Sequence, residues 1–590
     1  MTNIEKLLAV ARGDTPADLA IMGGQVFNSF LGTFEPRDVL IADGHIAAIL
    51  PWKHPFSDNA FNRQDITDHW LTPGFIDAHV HIESSMLCPE VFCSLLAQNG
   101  VTTIIADPHE IANVLGTVGI DYMLEATEGA AARVFFMLPS CVPASPLGKA
   151  AWTLEAEDLR PYFSHPRVLG LAELMNYPGV VNGSPDTLTK ILALQAYNAK
   201  HFGALRGLVM DGHAPFLSKE QLQGYVACGI HSDHEASTVE EAKERLAAGM
   251  GLMMREGSAA KNLLDLVPAV TEYTAHLCML CTDDRHPEDI AEQGSINALI
   301  RALVQQGSLP LPTIINMASY NTARHFSLRD TGAIAPGYRA DCAVYPDLQH
   351  WRPTHVWNKG VTVCKNALPA PVIPKASTTA LRGRVVLKDD IGQERLAFLD
   401  MKKPVKTIDV LAGQLVTMKG QATLPAQDGF LLADPTQNIA KLAVFERHHG
   451  TGRVGVSFIR GLGLKQGAIA STVAHDSHNL VVVGMNDDDM FTAVKALQNV
   501  GGGLAVVNEG TVLGIVPLPL AGIFTDRPIA ELSEQMHAIK STAQQLLADE
   551  KADPFMTLAF MTLDVIPHIK LTDSGLVDVD AFAFTSPYAE

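Results

Sequence analysis

Three features of the 590-residue sequence predict an α/β chain built around a (β/α)8 barrel. Eight apolar, strand-like runs lie between residues 74 and 284, most of them separated by helical segments. Short alternating strands with Gly and Asp-Gly turns precede these runs, and the same texture returns after them. A third region, from about residue 376, mixes strand-like and helix-like stretches of its own. The expected architecture is the first part of a β-sandwich at 1–72, a barrel at 73–329, and the second part of the sandwich at 330–375. A C-terminal α+β domain follows at 376–590.

The elements follow in order. Residues 16–50, "PADLAIMGGQVFNSFLGTFEPRDVLIADGHIAAIL", alternate apolar and polar side chains as short antiparallel strands do. The barrel strands are expected at "GFIDAHVH" (74–81), "VTTIIADPHE" (101–110), "ARVFFMLPSC" (132–141) and "RVLGLAEL" (167–174). Four more follow at "RGLVMDGHA" (206–214), "CGIHSDHE" (228–235), "GMGLMMREG" (249–257) and "HLCMLCTDD" (276–284). Segments such as "PEVFCSLLAQNG" and "TVEEAKERLAAGM" supply crossover helices. A doubly wound open sheet is the rival, weakened because no Gly-rich phosphate loop follows the first strand. Residues 332–366 complete the sandwich. The last region offers strands at "RVGVSFIRGLGL" and "HNLVVVGM" and helices at "DMFTAVKALQNVG" and "PIAELSEQMHAIKSTAQQLLADE".

Composition narrows the function. With 47% apolar and 18% charged residues the chain can bury a large core. Its 44 basic against 64 acidic residues give a net charge of -20, which argues against nucleic acid or an anionic membrane surface as partner. The N-terminal stretch lacks the apolar core of a signal peptide, and no run approaches the roughly 20 apolar residues of a membrane helix. A cytoplasmic protein is expected, with a homodimer as the default assembly. Eight cysteines do not make a disulfide framework, and the Cys278–Cys281 pair in "HLCMLCT" reads as buried strand.

Chemistry gathers at the strand ends. In "GFIDAHVHIESS" the side chains of Asp77, His79, His81 and Glu83 recur at period two and should share one face. Burying four titratable groups costs several kcal/mol unless something pairs with them, and a metal ion is the obvious partner. Further strand ends carry Asp107, His109 and Glu110, then Glu173, His213, His234 with Glu235, Arg255 with Glu256, and Asp283 with Asp284. His or acidic residues at one rim on most of the eight strands suit a catalytic metal, and suffice for two ions bridged by a carboxylate. His231, three residues before His234, should face the other way.

"PGFIDAHVHIESS" resembles the first-strand signature of the amidohydrolase superfamily. "DPHEIANVLG", "GLAELMNYPGV", "DGHAP", "SDHE", "CTDDRHP" and the distant "HDSHN" are similar to the bacterial adenine deaminase family, along nearly the whole chain. The resemblance implies hydrolytic deamination of adenine to hypoxanthine and ammonia by a metal-activated hydroxide. It implies two divalent ions, with Mn²⁺ foremost and Fe²⁺ or Zn²⁺ as alternatives. Many two-metal relatives bridge their ions with a carboxylated lysine on strand four, where this chain offers only Glu173. The resemblance therefore gives His79 and His81 to the first metal, Glu173 to the bridge, and His213 and His234 to the second metal. Asp283 would hold the first metal and move the water's proton. Glu83, Asp107, Glu110 and Glu235 are candidates for protonating the purine or orienting it, while Glu83 could instead cap the next helix and Asp107 organise the Pro108 turn. A ring-opening amidohydrolase and a non-catalytic metal-binding barrel are the alternatives. For the loop His475, Asp476, His478 and Asn479 two readings stand: a capped surface turn, or a flap closing the barrel mouth against water.

Overall fold

Strands buried on both faces read as continuous apolar runs, and the central part of the chain behaves accordingly. A computed structural model describes residues 3–203, 207–215, 217–258, 260–369, 372, 376–411, 416–548 and 553–589. Arg206 and Lys375, which end two of the expected segments, lie outside the described residues, as do residues 549–550 of the last expected helix and the extreme ends of the chain.

Eight parallel strands are present: β1 (Phe75–Val80), β2 (Val101–Ala106), β3 (Arg133–Leu138), β4 (Val168–Leu171), β5 (Val209–Met210), β6 (Ser232–Asp233), β7 (Gly251–Arg255) and β8 (Cys278–Cys281). They form two hydrogen-bonded groups, β5-β4-β3-β2-β1 and β6-β7-β8. A parallel bridge between Val80 and Asp283 brings the chain just past β8 alongside β1. The sheet is curled, because Ala78, Ile105, Phe135, Met253 and Met279 from both groups pack into one inner cluster. Their neighbours Ile104 and Ala106 pack on the other face with Leu96, Ile111 and Val114 of the surrounding helices.

Between β5 and β6 side chains take over from the backbone ladder. His231 N–H still reaches the Met210 carbonyl at 3.2 Å. Beyond it, Ser232 Oγ donates to Asp211 Oδ1 at 2.6 Å and Ala214 N–H donates to Asp233 Oδ1 at 2.9 Å. Arg245, fully buried, donates to Asp233 Oδ2 at 3.1 Å and also to the Ala214 carbonyl. That is why these two strands are only two residues long, shorter than the runs 206–214 and 228–235 suggested.

The expected sandwich strands of both flanks lie in one continuous nine-stranded sheet. Cys342–Tyr345 pairs antiparallel with Trp70–Pro73, which itself pairs with the long strand Ala17–Asn28. The C-terminal region carries an eight-stranded sheet with the helix Asp487–Val500 across one face, its start capped by Asn486 accepting from Asp489 N–H. It docks on the parallel sheet through Thr525 N–H to the Met86 carbonyl, 2.8 Å, and through Lys540 Nζ, 2.5 Å from Glu288. Cys278 and Cys281 are buried, unpaired thiols in β8. No helix among the described residues is long and apolar enough to cross a membrane.

Candidate metal centre and active-site cavity

His79 lies on β1 and His81 one residue beyond it, so both rings project from the same face. Their Nε2 atoms stand 3.1 Å apart. Each ring is held from behind: His79 Nδ1 lies 3.3 Å from Asp211 Oδ2, and His81 Nδ1 donates to the Asp107 carbonyl at 3.1 Å. A proton fixed on Nδ1 leaves the Nε2 lone pairs converging, the arrangement that ligating histidines adopt.

Glu173 follows β4, its backbone carbonyl accepting from Ser140 Oγ at 2.6 Å. Its Oε1 lies 3.3 Å from His81 Nε2 and 3.9 Å from His79 Nε2. Its Oε2 lies 2.7 Å from His213 Nδ1 and 3.3 Å from His234 Nε2. One carboxylate thus faces two pairs of imidazoles. Burial opposes its ionisation, yet His213, His234 and His81 hold its pKa well below the usual range.

Asp283 sits just past β8 at φ 56°, a left-handed conformation that Asp tolerates better than most residues. That turn lets Asp283 N–H bond the His79 carbonyl at 3.0 Å. Its Oδ1 lies 3.1 Å from His81 Nε2 and 3.6 Å from His79 Nε2, while Oδ2 accepts from Arg255 Nη1 at 2.7 Å. Burial opposes its charge too, but the guanidinium beside it keeps the carboxyl well below its ordinary pKa. The same Arg255 grips Glu235, which approaches His234 Nε2 at 3.5 Å and His213 Nδ1 at 3.7 Å. Buried imidazoles and carboxylates with converging, otherwise unsatisfied atoms form a donor set that suits divalent cations.

The six residues predicted as ligands come together here, and His234 stacks on His79 with centroids 4.0 Å apart. His231 is elsewhere, lining a separate cavity of about 640 Å³. Asp284 faces the active-site cavity, its carboxylate held by Ser84 Oγ.

The four other carboxylates divide. Glu110 and Glu235 line the cavity, of about 570 Å³, over the histidine–carboxylate cluster; Glu83 and Asp107 do not. For Glu83 and Asp107, candidates for contacting the purine or for structural roles, the carboxylates are bonded within the protein. β1 ends at Val80, so Glu83 lies on a 3-10 turn rather than on the strand face. Its Oε1 accepts Ile111 N–H at 3.2 Å, capping the helix His109–Leu115 rather than the one that follows it in sequence. Burial, with Glu110 nearby, pushes its pKa up to about 7. Asp107 gives both oxygens to His109, taking the backbone N–H at 3.1 Å and Nδ1 at 2.9 Å. Asp77 also leaves the expected set, accepting Thr282 N–H at 3.0 Å and Thr282 Oγ1 at 2.5 Å.

Sequence reasoning assigned no role to His109, Asp211 or Arg255. His109 Nδ1 lies 3.5 Å from Glu173 and its Nε2 3.3 Å from Glu110. Period two could have flagged Asp211, two residues before His213; no local pattern marks Arg255 as the partner of Asp283. The "HDSHN" loop is no surface turn: His475, Asp476, His478 and Asn479 are buried, and both histidines bond Glu110.

Residues 70–363 match the model of the amidohydrolase family, and residues 414–583 that of the adenine deaminase C-terminal domain. An adenine deaminase 2 from Carboxydothermus hydrogenoformans is 48% identical over 583 residues, covering 99% of each chain. Adenine deaminases from Desulfatibacillum aliphaticivorans and Halalkalibacterium halodurans are 44% and 41% identical, covering 99–100% of this chain and 99% of their own. Among solved structures, a β-aspartyl dipeptidase from Fervidobacterium islandicum AW-1 shares 19% identity with a TM-score of 0.45, covering 60% of this chain and 99% of that one. Full-length similarity at these identities, with both family models matched in order, establishes that the chain belongs to the adenine deaminase family of amidohydrolases.

Proposed function

We propose that the protein hydrolyses adenine to hypoxanthine and ammonia at two divalent cations seated in a closed (β/α)8 barrel. The observation that carries this reading is Glu173, whose two oxygens face separate histidine pairs. His79, His81 and Asp283 would hold one ion, His213 and His234 the other, and Glu173 both. When bound, the ions supply Lewis acidity and bring the pKa of water from 15.7 down toward about 7. Manganese is the proposed ion.

The chain's own groups do the rest. Asp283, kept ionised by Arg255, takes a proton from the attacking water and returns one to the departing amine. One water is consumed and one ammonia leaves, so the exchange at C6 balances. Glu235, paired with Arg255, is held as an acceptor facing the substrate. Glu110 is likewise an acceptor, with both oxygens already bonded by imidazoles, so neither carboxylate is suited to donating the purine's ring proton.

The test is direct. Metal-loaded protein should release ammonia from adenine and form hypoxanthine. Turnover of dihydroorotate or hydantoin with none on adenine would overturn the proposal.

A further inference from the structure

The barrel segment alone supplies the histidine–carboxylate cluster, but the cavity over it has a second source. His475, Phe560, Leu563, Val565, Ile566 and Pro567, all from the C-terminal region, also line it. Nothing in the deamination chemistry above uses them.

Both loop histidines donate to Glu110. Burial opposes ionisation of that carboxyl, but His475, His478 and His109 hold its pKa well below the usual range. An ionised carboxylate only accepts, so His475 Nδ1, 2.5 Å from Glu110 Oε1, carries a proton. His478 Nδ1 accepts the N–H of Ala474 at 3.2 Å, so its proton sits on Nε2 and is donated to Glu110 Oε2. Burial lowers the His478 pKa, and that ring stays neutral. His475 differs. Burial opposes its charge too, but Glu110, with Asp284 and Asp476 nearby, raises it to about 9. At neutral pH it is an imidazolium, with a second N–H on Nε2.

Glu110 is thereby clamped through both oxygens, and it fixes the His475 ring in turn. One face of that ring is covered by Phe560, centroids 4.6 Å apart and planes 17° from parallel. With Nδ1 spent on Glu110, the remaining polar atom is Nε2, which has no hydrogen-bond partner among the described residues. The residue lines the cavity, and its contacts set its distance from the cluster. Glu173 Oε1 lies 3.5 Å from His109 Nδ1, and His109 Nε2 lies 3.3 Å from Glu110 Oε1, the oxygen that His475 bonds. His475 therefore stands one imidazole ring beyond the carboxylate that faces the histidine pairs.

Resting on the adenine reading, we infer that His475 is a substrate-contacting, specificity-determining residue that donates its Nε2–H to N3 of adenine. The assignment follows from the shape of the base. N3 lies directly across the six-membered ring from C6, so a base with C6 against the cluster turns N3 away from it. N1 and N7 flank C6 and stay beside the cluster. The contact serves the reaction as well as binding. Hydroxide adding to C6 breaks the C6–N1 π bond, and the electron pair is shared along N1–C2–N3. A cationic donor at N3 meets that charge as it develops. The contact is a hydrogen bond only, and the proton stays on His475. A base with C–H in place of N3 leaves a buried, charged N–H unpaired, which a site built for the bond rejects.

The experiment uses full-length, metal-loaded protein, wild type beside His475→Ala and His475→Gln, with bound metal counted for each. Adenine is followed by kcat/KM, and 1-deaza-, 3-deaza- and 7-deazaadenine are read as competitive inhibitors. For His475→Ala, two ions should be retained while adenine kcat/KM falls by about 10–100-fold and the Ki of the 1-deaza and 7-deaza bases rises by a similar factor. The Ki of 3-deazaadenine, which never had the bond, should barely move. His475→Gln keeps a donor toward Glu110 but turns a carbonyl oxygen to the base, so it should lose the preference for N3 as alanine does. Equal losses on all four bases, or no loss on any, would overturn the inference while leaving the deaminase reading intact. So would a loss that spares the 1-deaza or 7-deaza base instead, or a glutamine variant as selective as wild type. Where the alanine variant fails to fold, wild-type protein must still bind 3-deazaadenine at least about 10-fold more weakly than adenine, and equal binding overturns the inference. Wild-type protein inert toward adenine would overturn the underlying reading and this inference together.

Discussion

Replacing Glu173 by glutamine is the most informative single change. The carboxylate is buried, with Oε1 3.3 Å from His81 Nε2 and Oε2 2.7 Å from His213 Nδ1. Glutamine keeps the shape but removes the charge and turns one oxygen into an amide NH₂. One donor set then loses its anionic member and meets a hydrogen-bond donor where it needs a lone pair. Bound metal should fall from two ions per chain toward one. The rate on adenine should drop by roughly 10²-fold or more, about 2.7 kcal/mol of transition-state stabilisation. If Glu173 only oriented a ligating histidine, the cost would be on the order of 10–100-fold, so rate alone does not separate the two roles. Metal counting does. Apo-protein is reconstituted with Mn²⁺, dialysed, and measured by elemental analysis beside ammonia release. A Gln variant that holds two tight ions and deaminates adenine well would refute the bridging argument.

Other outcomes follow from the same geometry. Arg245→Met leaves Asp233 buried and unpaired, which should cost about 3–5 kcal/mol of stability; because the clamp lies between His213 and His234, Mn²⁺ titration of folded variant should show the second ion weakened before the first. Arg255→Met removes the cation that keeps Asp283 ionised, so the acid limb of the rate profile should move to higher pH; an unmoved limb would contradict the pairing. In metal-free protein burial opposes charge on His79 and His213, but Asp211 and Asp283 raise His79 to about 10, and Glu235 and Glu173 raise His213 to about 9. Raised folded-state values stabilise the fold fully below the unfolded pKa of about 6.5 and cease to do so as pH rises through about 9–10. Thermal scans of metal-free protein should therefore show Tm falling between those limits, with metal-loaded protein much less affected.

Much of this was legible in the chain. Apolar runs mark β1 to β4, β7 and β8 because a strand buried on both faces cannot hide its composition. The proposed ligand set came from period two, which puts His79 and His81 on one face, and from the family resemblance for the rest. What stayed hidden depends on long-range partners. β5 and β6 are short because Asp211, Asp233 and Arg245 replace their ladder, and such substitutions leave no local periodicity. Glu83 looked like a strand residue because nothing in "HVHIESS" announces that β1 stops at Val80. The Glu110–His475 contact joins positions 365 residues apart, beyond any local pattern.

The central claim, two ions acting together on adenine, is tested most directly by reconstituting metal-free protein with graded Mn²⁺ and following hypoxanthine formation. Activity should climb until two equivalents per chain are bound and then level off, with little turnover at one equivalent. Full activity at a single equivalent, or a fully loaded protein that leaves adenine untouched, would contradict the account.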